Sequence, residues 1–551
     1  MTTMKPIIYT GLSLLLAAVP AVAQDLSTEV VVDRTIQPKE RAASRLGGIT
    51  PVLELSTPRT PSLSTARYST LSPLTRSYTR LDPASGAMAA EKSPYKGYAA
   101  LGYFPSLNIG ASAGYRFIDN EKMTLGAALQ FDGERYKPFD GWYERREFSE
   151  WYTRVGVDFS YRPAKDKQLS VALDYNFLKQ RTVAWDWQNV NTIGLDLGWE
   201  AAYEDINYYV SLSENFEKSG DVNMLDMFEG AGKPKPLDGL TQNALGVKAG
   251  ASYSLDASSR IGIDLNGDFI HTNNPELKNE FVPHNLIGTM GVKPYYALNM
   301  GNISALVGVK LDFGVNDEAK MHVAPDIRLQ WEATSQLGVW INAGGGDVLN
   351  PFSAVRQMTD YQVFKYGYRR SNIPLMIEGG FNFGPFSGFT AQIYGGYAKA
   401  NRWLMAYNLA LENHWVNVKG WHAGLKLGYR WRMLDFNAGA EIAPSDFDKA
   451  WIYNYDRAKY IITAGVDVTP IDKLTIGASY EFRGHRGYSF DPDEWYSLGC
   501  VSNLTVHAEY KLLPWFTIFG RGENLLGRRY DILGLLPSQK QHGAVGVALK
   551  F

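Results

Sequence analysis

A single cysteine, Cys500, stands in the 551-residue sequence, which excludes an internal disulfide framework and any metal site built from several thiolates. The eight histidines are scattered, so the clustered ligands of a zinc or copper centre are missing as well. Beyond the first two dozen residues no run of about 18 apolar residues occurs, which excludes a transmembrane helix. Charge is almost balanced, 55 Lys and Arg against 57 Asp and Glu, and no global basic field points to nucleic acid. No repeat of fixed length recurs, as a propeller would require. A catalytic set is also lacking. Ser502 and His507 share a predicted strand but stand about 17 Å apart along it, too far for a nucleophile and its base. Asp491-Pro492-Asp493-Glu494 offers hard oxygens without the spacing or the glycine of a calcium loop, and reads as a solvated acidic turn. The expectation is no enzyme, no cofactor and no metal.

What the chain does contain begins with a leader. Lys5 supplies a short basic region, Pro6 to Val19 is mostly apolar, and Ala21-Val22-Ala23 gives the small-x-small pattern. Residues 1–23 read as a secretory signal peptide cleaved after Ala23. Residues 24–94 follow, rich in Pro, Ser and Arg and poor in periodicity. Prolines so spaced remove ladder donors and helix bonds, so irregular chain is expected. Between Arg34 and Arg80 stand Arg34, Lys39, Arg41, Arg45, Arg59, Arg67, Arg76 and Arg80 against Glu40 and Glu54. This segment is either a reduced plug inside a barrel or a periplasmic tail.

Residues 95–551 are different in kind. Val155, Val157, Phe159 and Tyr161 alternate with Arg154, Gly156, Asp158 and Ser160, and Leu169 to Phe177 repeats the pattern. Similar dyads run through 192–200, 261–269, 474–483, 503–510 and the last stretch, Gln541 to Phe551. Strict alternation marks strands with two unlike faces. Tight turns alternate with long loops, and walking the pattern gives about 22 strands, with 401–420 taken as one long loop extension. Long loops on one side and short turns on the other are the arrangement of a membrane barrel. Trp151, Tyr152, Tyr161, Trp199, Trp331, Trp421, Tyr429, Trp431 and Trp515 fall where interfacial girdles lie. The predicted fold is therefore all-β, a transmembrane antiparallel barrel with a short N-terminal segment in its lumen. Inward positions would carry Asp158, Asp174, Asp196, Asp264, Glu481 and Glu509, facing the arginines of 34–80. Ligand-facing rings are expected on the long loops, at Trp142, Tyr143, Trp451, Tyr453, Tyr488 and Trp495.

Asn524-Leu525-Leu526-Gly527-Arg528-Arg529-Tyr530, followed by Gly534, Pro537 and a last strand ending in Phe551, resembles the final hairpin of TonB-dependent outer-membrane receptors. With the topology, the resemblance covers roughly residues 97–551. It implies a Gram-negative outer membrane, contact with its lipid, and a terminal aromatic, Phe551, read by the barrel-assembly machinery. Thr28-Glu29-Val30-Val31-Val32 is similar to the short box through which that family touches TonB. The sequence departs from the family at 24–94, where the Gly-rich, Ile-alternating strands of a folded plug are missing. Three functions stay open: a receptor or transporter for an unidentified ligand, coupled to TonB; a passive channel; and a scaffold, which would co-purify with a surface lipoprotein.

Overall fold

A computed structural model describes residues 95–551 except 105–107, 137–146, 182–186, 222–238, 274–284, 317–319, 353–369, 408–411, 444, 448–457, 489–495, 498, 534–535 and 539. These residues form a closed antiparallel barrel of 22 strands. The strands are β1 (Gly97–Phe104), β2 (Asn108–Asp119), β3 (Met123–Tyr136), β4 (Phe148–Ala164), β5 (Lys167–Arg181), β6 (Gln188–Tyr203), β7 (Ile206–Ser219) and β8 (Thr241–Ser254). They continue as β9 (Ser259–Asn273), β10 (Leu286–Met300), β11 (Ile303–Val315), β12 (Met321–Thr334), β13 (Leu337–Val348), β14 (Ser371–Phe386), β15 (Phe389–Tyr407) and β16 (Glu412–Trp431). The barrel ends with β17 (Leu434–Ile442), β18 (Tyr460–Ile471), β19 (Leu474–Gly484), β20 (Val501–Leu513), β21 (Phe516–Glu523) and β22 (His542–Lys550). Ser445–Phe447 adds a short piece against β16, beyond the end of β17. The predicted boxes and arginines at 28–80, and the loop rings Trp142, Tyr143, Trp451, Tyr453 and Trp495, lie outside the described residues.

Each strand pairs with its neighbours in sequence, and β22 closes on β1 from Tyr98↔Lys550 to Tyr103↔Val545. Closure leaves no edge whose N–H and C=O groups would face hydrocarbon unpaired, at several kcal/mol each. Turns at 165–166, 204–205, 301–302, 387–388, 432–433, 472–473 and 514–515 sit on one side, with both barrel ends. Ser387 and Gly388 both have positive φ, 51° and 89°, as the tight hairpin matching strand twist requires. The longer connections all sit on the other side.

Alternation fixes what each face presents. Leu129, Val155, Val157, Leu173, Ile193, Val210, Val247, Ile263, Val307, Ile341, Ile393 and Ile518 are exposed on the outside. Such a wall suits acyl chains, since the outer face of a membrane barrel is an apolar band. Tyr161, Trp331, Trp421, Trp431 and Trp515 are exposed on that face. Tyr152 corrects the girdle expectation: it shares the parity of Arg154, faces the lumen, and donates to Asn176 Oδ1 at 2.8 Å. The loop extension expected at 401–420 is corrected too. It is ladder, Ala400↔Val418 and Trp403↔Val416, with a register shift between Ala400 and Trp403 that breaks the dyad in sequence.

Val157→Arg should cost about 2–4 kcal/mol if the site is near the bilayer midplane, whereas Asp158→Asn on the opposite face should be tolerated. Refolding from denaturant into bilayers, read by the heat-dependent gel mobility of each variant, checks this. Equal folding of the two would show the register to be wrong.

Candidate functional site

The inner wall is largely polar, apart from buried apolar clusters such as Ala100, Phe519 and Ala548 at the seam, and small residues make room for the polar groups. Three times a glycine lies beneath a side-chain bridge joining the strands on either side of it. Tyr394 donates to Glu441 Oε2 at 2.6 Å, passing over Gly424, which pairs with both residues. His422 Nε2 lies 3.1 Å from Glu378 Oε1 across Gly396. His507 Nε2 lies 3.1 Å from Asp467 Oδ1 across Gly477. A Cβ on Gly424 would strike the Tyr394 ring, and one on Gly477 would strike both members of its pair. The ammonium of Lys426 stands 5.0 Å over the Tyr394 ring, adding a cation–π contact to the same group.

Toward the long-loop end, β11 to β14 hold a buried clasp. Arg370 Nη1 donates to Asp347 Oδ2 at 2.6 Å, and neither side chain is solvent-accessible. His322 Nδ1 stands 2.7 Å from Asp347 Oδ1, and Asn372 donates to the same oxygen at 2.9 Å. The Asp347 amide donates to Asp312 Oδ2 at 2.8 Å. Several polar partners converge on one buried carboxylate, the condition under which burying a charge is tolerated. Just beyond β13 the chain turns inward. Phe352 is 1% exposed and packs with Leu240, Ile270 and Ile287, while its amide donates to Gln242 Oε1 at 2.7 Å. Thus the start of the β13–β14 connection reaches the inner side of β8 to β10.

Between β3 and β7 the inner wall is acidic. Asp132, Glu134, Glu150, Asp158, Asp174, Asp196, Glu200 and Glu217 have the parity opposite to the exposed apolar residues. Among described residues the cations of that face on these strands are Arg154 and Arg162. Arg154 Nη2 pairs with Asp174 Oδ1 at 2.8 Å. Farther round, cations are interleaved with acids: Lys293 bridges Asp264 at 3.0 Å and Asp326 at 3.2 Å, and Arg483 pairs with Glu481 at 2.6 Å. Glu509 also takes the inward parity, opposite to exposed Tyr510. The arc of β3 to β7 is where fixed negative charge is most concentrated.

Other residues named from sequence, His507 excepted, stand apart from these groups. Ser502 and His507 face opposite sides of β20. His485 lies in the connection after β19, and burial, then the Lys459 charge, lowers its pKa below the ordinary imidazole value. Tyr488 belongs to a two-residue strand pairing with Tyr496. The clasp is hidden in sequence because Gly344-Gly345-Gly346 and the register shift there break the alternation just before Asp347. No group of metal-ligating side chains gathers among the described residues. At the seam, the Phe551 amide donates to Gly97 O at 2.9 Å and its carbonyl accepts from Gly97 N at 2.7 Å. The ring stacks on Tyr115 with centroids 6.1 Å apart.

Gly424→Val should destabilise the barrel, because the Tyr394 ring must leave Glu441. In a Tyr394→Ala background the same change should cost much less. A double-mutant cycle on thermal unfolding measures the coupling, and simple additivity would mean the glycine is not holding the ring's place.

No family model matches the sequence, and no curated protein matches it. Solved structures do. The FrpB iron transporter of Neisseria meningitidis is 12% identical, with a TM-score of 0.64, over 84% of this chain and 82% of that one. A variant of the ferric enterobactin receptor PfeA of Pseudomonas aeruginosa, in complex with enterobactin, is 10% identical with a TM-score of 0.62, over 84% and 82%. The siderophore receptor PirA of Acinetobacter baumannii is 8% identical with a TM-score of 0.63, over 84% and 81%. Identities this low establish fold alone. At that level the chain is a closed 22-stranded barrel similar in fold to an iron transporter and to siderophore receptors.

Proposed function

We propose that this protein is an outer-membrane receptor of the TonB-dependent type, which imports a solute too large or too scarce for general pores. The observation that carries this reading is the size of the closed barrel, 22 strands, joined to the likeness of its fold to ligand-specific receptors. A barrel of that circumference has a lumen that is normally plugged. Iron chelates, the cargo named for the similar structures, are the first ligands to try. Residues 28–32 are the proposed TonB contact, after removal of residues 1–23.

The obstruction is assigned to residues 34–80. Their arginines complement the acidic arc of β3 to β7 in charge, and pairing in a confined lumen is screened less than on a surface. Proline-rich chain also loses less entropy on ordering than a flexible linker. Deleting 34–80 should raise single-channel conductance in planar bilayers while the barrel still assembles. A steady large current through the full-length protein would favour the passive channel. Removal of the segment by a periplasmic-side protease, with conductance unchanged, would defeat the assignment.

Phe551 is the proposed assembly signal, supported by its place at the seam between β22 and β1. Deleting it should sharply lower the folded barrel in outer-membrane fractions. Unchanged levels would reject the role.

A further inference from the structure

We infer that the outer surface of β5 to β9 holds the phosphorylated headgroup of a glycolipid from the outer leaflet. The inference rests on the proposed outer-membrane reading, with the long connections toward the outer leaflet, and is independent of which ligand passes through the barrel.

The facing of these strands is set by their exposed apolar residues: Leu173 and Tyr175, Ile193 and Leu197, Val210 and Phe216, Val247, and Ile261 to Leu265. Following the same parity toward the long-loop end, the wall changes character. β5 presents Lys179 and Arg181, β6 Asn191 and Asn189, β7 Lys218, β8 Asn243 and Thr241, and β9 His271 and Asn273. Register makes this one patch. Lys179 pairs with Asn189, Asn191 with Lys218, Lys218 with Thr241, and Asn243 with His271. The neighbouring outer face of β10 to β12 does not change: Leu286, Met290, Phe313, Met321 and Val323 stay apolar and exposed to the strand ends.

What covers such a surface follows from its place. The outside of a membrane barrel meets lipid, acyl chains against the apolar band and headgroups where polarity begins. Lys179 and Lys218 are separated by two interstrand spacings and offset by two residues, about 12 Å between their Cα atoms. Between them lie the amides of Asn189 and Asn191, donors and acceptors for sugar hydroxyls and acyl-amide groups. Tyr175 holds Asn191 by donating to Oδ1 at 2.8 Å, and Lys179 is steadied 4.8 Å over the Trp187 ring. At the lower edge Asn243 donates to Glu214 Oε1 at 3.2 Å, while its own Oδ1 is buried and accepts no hydrogen bond. Cations at two ends with amides between them fit a sugar headgroup phosphorylated at both ends better than a single-phosphate phospholipid.

The test uses full-length protein extracted in mild detergent and offered three lipids: a bis-phosphorylated glucosamine-disaccharide glycolipid, its dephosphorylated form, and phosphatidylglycerol. Native mass spectrometry reads the bound fraction. Wild type should retain the phosphorylated glycolipid over both others. The Lys179→Gln/Lys218→Gln variant should lose roughly 10- to 30-fold in apparent affinity, with heat-dependent gel mobility unchanged. Equal retention by wild type and variant would overturn the inference. So would equal binding of phosphatidylglycerol, which would make the patch a general anionic collar. If the variant does not fold, the comparison of phosphorylated with dephosphorylated glycolipid on wild type decides alone, and equal binding of the two refutes the site.

Discussion

Hydrocarbon cannot hydrogen-bond to a peptide group, and that constraint orders everything else in this protein. A sheet in lipid is stable only when every N–H and C=O on its wall is paired, and closure from β22 to β1 achieves this. Once the ladder is closed, alternation leaves each strand two independent faces. The outer face must be apolar over the band that meets acyl chains, and Val155, Val157 and their counterparts comply. The inner face is released from that demand and carries the polar chemistry.

Polarity inside a wall has its own requirement. Charged side chains lying flat against the sheet need partners, and some are found on the adjacent strand, as Arg154 finds Asp174, while others lie one strand farther on. Gly396, Gly424 and Gly477 resolve this by opening a path across one strand to the next. His422–Glu378, Tyr394–Glu441 and His507–Asp467 are thereby related: one geometry, with different side chains. These three glycines lie inside strands and serve packing between strands, not turns. Arg370 and Asp347 show the other solution, complete burial with several partners around one carboxylate.

The sequence made the fold readable because a membrane barrel writes its two solvents into every second residue. Strand count, the order of turns and loops, and the inward parity of Asp158 or Asp174 follow from that pattern alone. Legibility failed where pairing slips. At Ala400/Trp403 the register shift throws the dyad out of phase, and two long strands look like a loop. Around Gly344 and Gly346 a similar shift hides Asp347, and with it the clasp. Tyr152 was misread for another reason: an aromatic near a strand end looks alike whether it faces lipid or lumen, and only parity tells them apart. Bridges over glycine are invisible in sequence, since their members lie tens of residues apart.

Charge offers the clearest case of what a one-dimensional reading averages away. The chain is nearly neutral, 55 cations against 57 acids, and β7 contains Glu217 directly before Lys218. In a helix or a loop such neighbours would largely cancel. In a barrel wall they point to opposite sides, Glu217 into the acidic arc and Lys218 onto the outer surface. The thickness of the sheet lies between them, and each faces a different medium, so neither screens the other well. Strands β5 to β7 therefore present Asp174, Asp196 and Glu217 to the lumen and Lys179, Arg181 and Lys218 to the outside from a nearly neutral sequence. The two surfaces thus differ in charge, acidic inside and bearing lysines and an arginine outside. Neither surface can be inferred from net charge.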